Sequence, residues 1–284
     1  MRSLFQDRFI KNLYRASSYI LLILVGALMI LPVVMLVVSS FKLKTEYLAH
    51  PFHFFPQVVQ WSNYAQVFTL TPFLQVALRT AVLGIAVAIL TTISSSMGGY
   101  AFSRFQDVKA SKILFRVIIV LMVVPGIVLT LPQFMLYSYL HLTNTYWPWI
   151  LEALAGNSFF IFLYRQFFLG FPKELEEAAE IDGCGPVRIY WQILMPNSRP
   201  VIATILIFAF NGIWGDYLSP LIYLSDSKTL MGVTMAKAFV DLKGFALPTI
   251  SFAGTVIYIL PLIILFLFGQ KHILKGMITS GLKG

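Results

Sequence analysis

Two groups of residues in this 284-residue chain have types and spacings that could do work. The first begins Phe171-Pro172-Lys173-Glu174-Leu175-Glu176-Glu177-Ala178-Ala179-Glu180-Ile181-Asp182-Gly183 and runs on to Pro196. Pro172 suits a first helical position, and Glu174, Glu176 and Glu177 follow where the positive end of a helix favours acids. Gly183 and Gly185 stop that helix and Pro186 starts another. On the second piece Val187, Tyr190, Trp191 and Leu194 fall at i, i+3, i+4 and i+7, one apolar stripe, and Pro196 ends it. On the first piece Leu175, Ala178, Ala179 and Asp182 share a face, whose alanines leave a shallow surface that another protein can approach. Periodicity alone fits an ordinary solvated helical hairpin equally well. The second group is Gln133, Glu152, Asn157, Asn211 and Asp216, polar residues set in apolar stretches. Such residues can line a path for a polar solute, although helix–helix hydrogen bonding is their commoner use. Asp216 stands near Trp214 and Tyr217, a grouping that would suit sugar hydroxyls. Asn211, five residues before Asp216, faces a somewhat different direction on a helix.

Other chemistries find no residues. No His/Asp/Glu cluster and no nucleophile with a nearby base occurs, so an enzyme is not expected. The single cysteine, Cys184, excludes an internal disulfide, and no Cys/His spacing suggests zinc. His50 and His53 are separated by Pro51, with no further His or Cys near, so no metal site is expected. No G-x-x-x-x-G-K-[ST] phosphate loop occurs anywhere in the chain.

The elements that must hold these residues are membrane spans. The chain is 58% hydrophobic and 12% charged, about half the charge of a soluble domain at roughly 25%. Uncharged runs cover 17–41, 80–103, 117–140 and 244–270. Each exceeds the roughly 20 residues needed to cross about 30 Å of hydrocarbon, which a soluble helical core does not require. Six spans are expected, at about 17–40, 80–102, 117–135, 146–164, 201–224 and 246–269. The fourth and fifth carry Glu152 and Asp216, acids tolerated where they face protein or water. Kinks or unwinding are expected at Pro32, Pro125, Pro132, Pro220 and Pro261. Ser94, Ser95, Ser96, Gly98 and Gly99 read as a close-packing surface. Fifteen of the 21 Lys and Arg residues fall on the side holding both termini and the 165–199 segment, which the positive-inside rule places in the cytoplasm. The net charge of +9 is thereby accounted for by the bilayer, and no nucleic-acid partner is expected. The first run has too long an apolar core for a signal peptide, so an uncleaved first helix is expected. One membrane domain is the economical reading, with an aromatic- and proline-bearing outer loop over 41–72 too short to be a second domain.

Glu177-Ala178-Ala179, Gly183 four residues on, then Ile193 and Pro196, resemble the EAA loop of ABC importer permeases, E-A-A-x₃-G-x₉-I-x-L-P. Met195 stands where Leu is usual, a mild exchange at an apolar position. Asp182-Gly183, the stretch Tyr100-Ala101-Phe102-Ser103-Arg104-Phe105 and the tail from Gln270-Lys271-His272 through Gly281 to Gly284 resemble the carbohydrate-uptake branch, specifically the shorter maltose-permease-type subunit. The resemblance implies an all-α membrane protein of six transmembrane helices, type I importer permease-like, multi-pass in a bacterial or archaeal cytoplasmic membrane. It implies that the loop is a coupling helix seated on a separate ATPase subunit, with Glu177, Ala178, Ala179 and Asp182 at the docking surface, Gly183 at the bend, and Ile193 and Pro196 completing the motif. The implied partners are a second related permease, two ATPases that hold ATP and Mg, and an extracytoplasmic solute-binding protein that meets the outer loop at about 225–246. An ion-driven secondary transporter would explain the spans but not the loop.

Overall fold

The computed structural model describes residues 2–241 and 243–281; the end of the family-like tail, 282–284, lies outside the described residues. Among the described residues there is no strand, only an isolated bridge between Val240 and Ala246. The principal helices are α1 (Arg2–Ser40), α2 (Phe73–Arg104), α3 (Lys109–Val123), α4 (Gly126–Tyr139), α5 (Trp147–Ala155) and α6 (Ser158–Leu169). They continue as α7 (Lys173–Ile181), α8 (Pro186–Asn197), α9 (Arg199–Trp214), α10 (Leu218–Tyr223) and α11 (Pro248–Gly281). The chain packs as two compact units, one of residues up to Thr71 with Ala238–Tyr258, the other of Pro72–Lys237 with Ile259 onward.

Helices occupy all six predicted stretches, but only three are continuous. Tyr14–Ser40, Phe73–Arg104 and Pro248–Lys271 are each long and apolar enough to cross a bilayer. The predicted third span is α3 and α4, bent by 105°. Val124 and Pro125 are extended there, because a residue preceding proline is pushed out of the helical region. The predicted fourth span divides at Gly156, which takes a φ of +81°. The fifth ends at Trp214 and resumes as α10, leaving 215–217 non-helical. Pro32, Pro132 and Pro261 lie within unbroken helices, whereas Pro125 stands at the break in the third span and Pro220 in the first turn after the break in the fifth.

Helix α2 organises the second unit, with α5, α6 and α9 packed around it. From Ala88 onward its buried side is made of small residues, Thr91, Thr92, Ser95, Ser96 and Gly99, whereas nearer its start Phe73, Val76, Leu83 and Val87 are buried beside Gly84; large residues also stand on its exposed side, Leu74, Leu78, Val82, Ile85 and Ile89. The small-residue stretch departs from the soluble pattern of large side chains turned inward. In lipid, large apolar side chains gain nothing by turning inward, and association depends on close backbone approach. Gly99 is where approach is closest: a Cβ there would collide with Tyr164 Cβ and lie 2.9 Å from the Arg165 nitrogen. The serines add bonds across the same face. Ser94 Oγ donates to the Ala153 carbonyl at 2.6 Å, and Ser95 Oγ accepts from the Asn157 amide at 3.0 Å. Around them Phe160, Tyr164, Phe168, Ile189, Leu194 and Ile205 form a buried core.

In the first unit, Lys42 is a buried cation. It is 0% exposed, and its ammonium donates to the carbonyls of His53 at 2.6 Å and Pro51 at 3.2 Å. Asn63 Nδ2 donates to the Ser40 and Lys42 carbonyls at 2.8 and 2.9 Å, so the outer loop is tied to the end of α1.

Replacing Gly99 by Val should destabilise the purified protein by about 1–3 kcal/mol, the usual cost of overpacking. Gly26, with nothing within 4 Å of a built Cβ, should accept Ala with little change. Thermal unfolding in detergent compares the two. Equal midpoints would remove the close-approach account.

Candidate functional site: a bent loop and a polar cleft

Between α6 and α9 the chain makes the helix–bend–helix that the sequence forecasts. Helix α7 closes through a paired C-terminal turn, in which Gly183 N donates to the Glu180 carbonyl at 3.0 Å and Cys184 N to that of Ala179 at 2.9 Å. The turn requires a left-handed residue, and Gly183 supplies it with a φ of +82°. Pro186 then opens α8 in its first turn.

Which faces are covered differs from the periodicity reading. Leu175, Ala178 and Asp182 are exposed as expected, but Ala179 turns inward with Glu176. The outward surface carries Glu177, Ala178, Asp182 and Gly183, together with Ile181 at 87% exposure. On α8 the forecast stripe splits: Tyr190 and Leu194 are buried with Ile189, whereas Val187 and Trp191 are exposed. The cause is a π-helical turn over Tyr190–Leu194, which widens the helix and breaks 3.6-residue spacing. Pro196 lies just beyond it and lacks the N–H that would serve the Gln192 carbonyl in an α-helix. Because the π turn just before it does not call for that bond, the helix runs through Pro196, which was expected to end it, and stops at Asn197. Ile193 is half-buried against the core, and Met195 is buried, as an apolar motif position should be.

Three polar links join this loop to the end of α2. Arg104 grips Glu176 with both arms of its guanidinium, Nε to Oε2 at 2.7 Å and Nη2 to Oε1, and its Nη1 donates to the Phe168 carbonyl at 3.2 Å. The hydroxyls of Ser96 and Tyr190 are hydrogen-bonded at 2.6 Å. Tyr100 Oη donates to the Pro186 carbonyl at 3.3 Å. Sequence reasoning assigned Glu176 to the helix dipole and gave Arg104 no partner. Glu176 lies three residues before Ala179, on the same side of α7, but the sequence did not show that this side faces inward.

The intramembrane polar residues do not form one group. Gln133, Glu152 and Asp216 converge. Glu152 Oε1 accepts from Tyr137 Oη at 2.7 Å and from Gln133 Nε2 at 3.4 Å. Asp216 Oδ2 accepts from Trp149 Nε1 at 3.1 Å, and Oδ1 from the Ser219 amide at 3.2 Å. Gln133, Trp149, Glu152, Ser219 and Tyr223 line a cleft of about 340 Å³. Asp216 thus has Trp149 as an aromatic partner, while Trp214 is buried and stacked on Phe210 with centroids 5.6 Å apart. Asn157 caps α6, its Oδ1 accepting from the Phe159 and Phe160 amides at 3.0 and 3.2 Å. Asn211 lines a separate apolar pocket with Phe208 and Phe266.

Comparison with known proteins supplies the context. Residues 95–279 match the family model described as binding-protein-dependent transport system inner membrane component. The chain is 33% identical to protein LplC of Bacillus subtilis, over 92% of this chain and 91% of that one. It is 31% identical to the arabinooligosaccharides transport system permease protein AraQ of Halalkalibacterium halodurans, over 90% and 91% of the two chains. Its fold matches a chain of a bacterial ABC transporter involved in the import of the acidic polysaccharide alginate, with a TM-score of 0.79, 20% identity, and 92% and 97% of the chains covered.

Reversing one member of the ion pair, by Arg104→Glu or Glu176→Arg, should destabilise the protein by roughly 1–3 kcal/mol, between the values for exposed and buried pairs. The double reversal should recover at least half of that loss in a thermal melt. If it is no more stable than the worse single variant, the two side chains do not act as a pair.

Proposed function

Because the chain belongs to the family of binding-protein-dependent transport system inner membrane components, we propose that it forms half of the translocation pathway of an ATP-driven carbohydrate importer, with α7 and the Gly183 bend as its coupling element. The observation that carries this reading is the loop's outward surface. Glu177, Ala178, Asp182 and Gly183 stand exposed beside Ile181, while Glu176 and Ala179 anchor the same helix inward. A helix held on one side and bare on the other suits a partner that must push on it.

The family implies a partner permease, an ATPase and a solute-binding protein. Our fuller reading has a second related permease completing the pathway and two ATPase subunits that bind ATP and Mg, with an extracytoplasmic binding protein delivering the solute. The absence of a phosphate-loop sequence from this chain supports putting the nucleotide elsewhere. The distribution of Lys and Arg supports both termini in the cytoplasm, with which our reading of one permease domain with six crossings agrees. On the outer side, the segment from 225 is braced by Arg79 Nη1 donating to the Ser227 carbonyl and Lys228 Nζ to that of Asn144, both at 2.8 Å. Such bracing suits a platform for the binding protein.

Carbohydrate as the cargo rests on the relatives and on the cleft's chemistry. AraQ is named for arabinooligosaccharides. In this chain the cleft offers Trp149 and Tyr223 rings beside Gln133 and Glu152, a mixture that suits a molecule with apolar ring faces and many hydroxyls.

Gly183 provides the test. Nothing lies within 4 Å of a built Cβ, so a substitution acts through backbone strain alone. A β-branched residue at its φ of +82° should lose roughly 1–2 kcal/mol per left-handed position and move the bend. Gly183→Val should insert, assemble with the ATPase and co-purify with it, while solute-stimulated ATP hydrolysis falls about tenfold. Wild-type stimulation in that assembled variant would refute the coupling role.

A further inference from the structure

We propose that the cleft bounded by α4, α5 and α10 binds saccharides and favours neutral over anionic ones. This rests on the carbohydrate reading above and adds to it the charge class of the cargo.

The cleft's size, about 340 Å³, falls at the lower end of small-molecule sites, which run from about 300 to 1,000 Å³. Its polar groups favour hydroxyl donors. Tyr137 and Gln133 both donate to the same oxygen of Glu152, Oε1. A carboxylate has about four acceptor positions, and Glu152 is exposed and lines the cleft, so it keeps capacity for a ligand hydroxyl. Behind the wall, Asp216 holds Trp149 and the start of α10 through its two bonds.

No residue lining the cleft is cationic. A sugar hydroxyl is welcome beside Glu152, whereas a uronate carboxylate would add a further negative charge to a wall with nothing to neutralise it. At roughly 7 Å and an effective dielectric of about 20–40, like charges disfavour each other by about tenfold or more. The ladder of preference therefore runs from neutral oligosaccharides down to uronates. Selection by charge is open to this fold, because the structurally similar alginate importer handles an acidic polysaccharide.

The test uses the assembled importer in nanodiscs, without its binding protein, so that the permease wall alone is read. Saturation-transfer NMR would compare two matched pairs, galactobiose with digalacturonate and cellobiose with cellobiouronate. The neutral member of at least one pair should half-saturate at a concentration about tenfold or more below its uronate. Glu152→Gln preserves an acceptor for Tyr137 and should shrink that ratio severalfold, as should Asp216→Asn. Thr130→Lys places a cation in the wall and should shift the preference toward the uronate. Equal binding of both members in the wild type, or a ratio unmoved by Glu152→Gln and Thr130→Lys, would overturn the charge preference. Absence of any sugar signal would overturn the cleft as a binding site. The carbohydrate reading is judged separately, by whether a sugar-loaded binding protein stimulates ATP hydrolysis in the same complex.

Discussion

Everything in the second unit depends on how near other helices can come to α2. Lipid is as apolar as leucine, so burying large side chains between helices gains little, and what remains is dispersion and hydrogen bonding at short range. Both require small residues in register. Gly99 admits the backbone of α6, Gly84 lets Phe210 of α9 lie against α2, and Ser94 and Ser95 bond to the backbone at the α5–α6 junction. Large residues on this face would hold α6 and α9 away from α2 and leave the serines short of their partners.

The same helix carries the connection to the loop. At its last turn Arg104 holds Glu176, while Tyr100 and Ser96, roughly one and two turns further in, hold the Pro186 carbonyl and Tyr190. Both halves of the bent loop are therefore fastened to one rigid rod. A push on the outward face of α7 has a short route to α2, through a charge-assisted two-pronged bond whose geometry resists rotation. Arginine suits this post because its planar fork can bond the carboxylate and the Phe168 carbonyl together, which a lysine could not do in the same geometry.

How much of this could be read from residues alone depended on the range of the cause. The apolar runs announce spans because hydrocarbon thickness is a property of the solvent, and the Gly183 bend announces itself because only glycine takes that φ cheaply. The break at Val124–Pro125 was signalled by its proline, whereas that at Gly156 leaves the surrounding run apolar, and at 215–217 the one acid, Asp216, reads as a buried polar residue and not as a break. The inward turn of Ala179 and the split stripe of α8 were misjudged, one by assigning a face without its packing partner and the other by a π turn that periodicity assumes away. The Arg104–Glu176 pair was out of reach, because its members are 72 residues apart and each has an adequate local explanation.

The breaks explain why some of the polar residues are there at all. A helix interrupted at membrane depth frees amide groups that lipid cannot satisfy, so each break must bring its own acceptor. Asn157 does so for α6 and Asp216 for α10. Their presence in apolar runs is thus accounted for by backbone chemistry before any solute is considered. Gln133 and Glu152 have no such duty. Their bond is to each other, and Glu152 is further bonded by the Tyr137 hydroxyl, all at the wall of an open cleft. An exposed carboxylate kept among apolar helices without a cap to make is costly; the bonds from Tyr137 and Gln133 recover part of that cost, and a polar solute in the cleft, as proposed, would recover more.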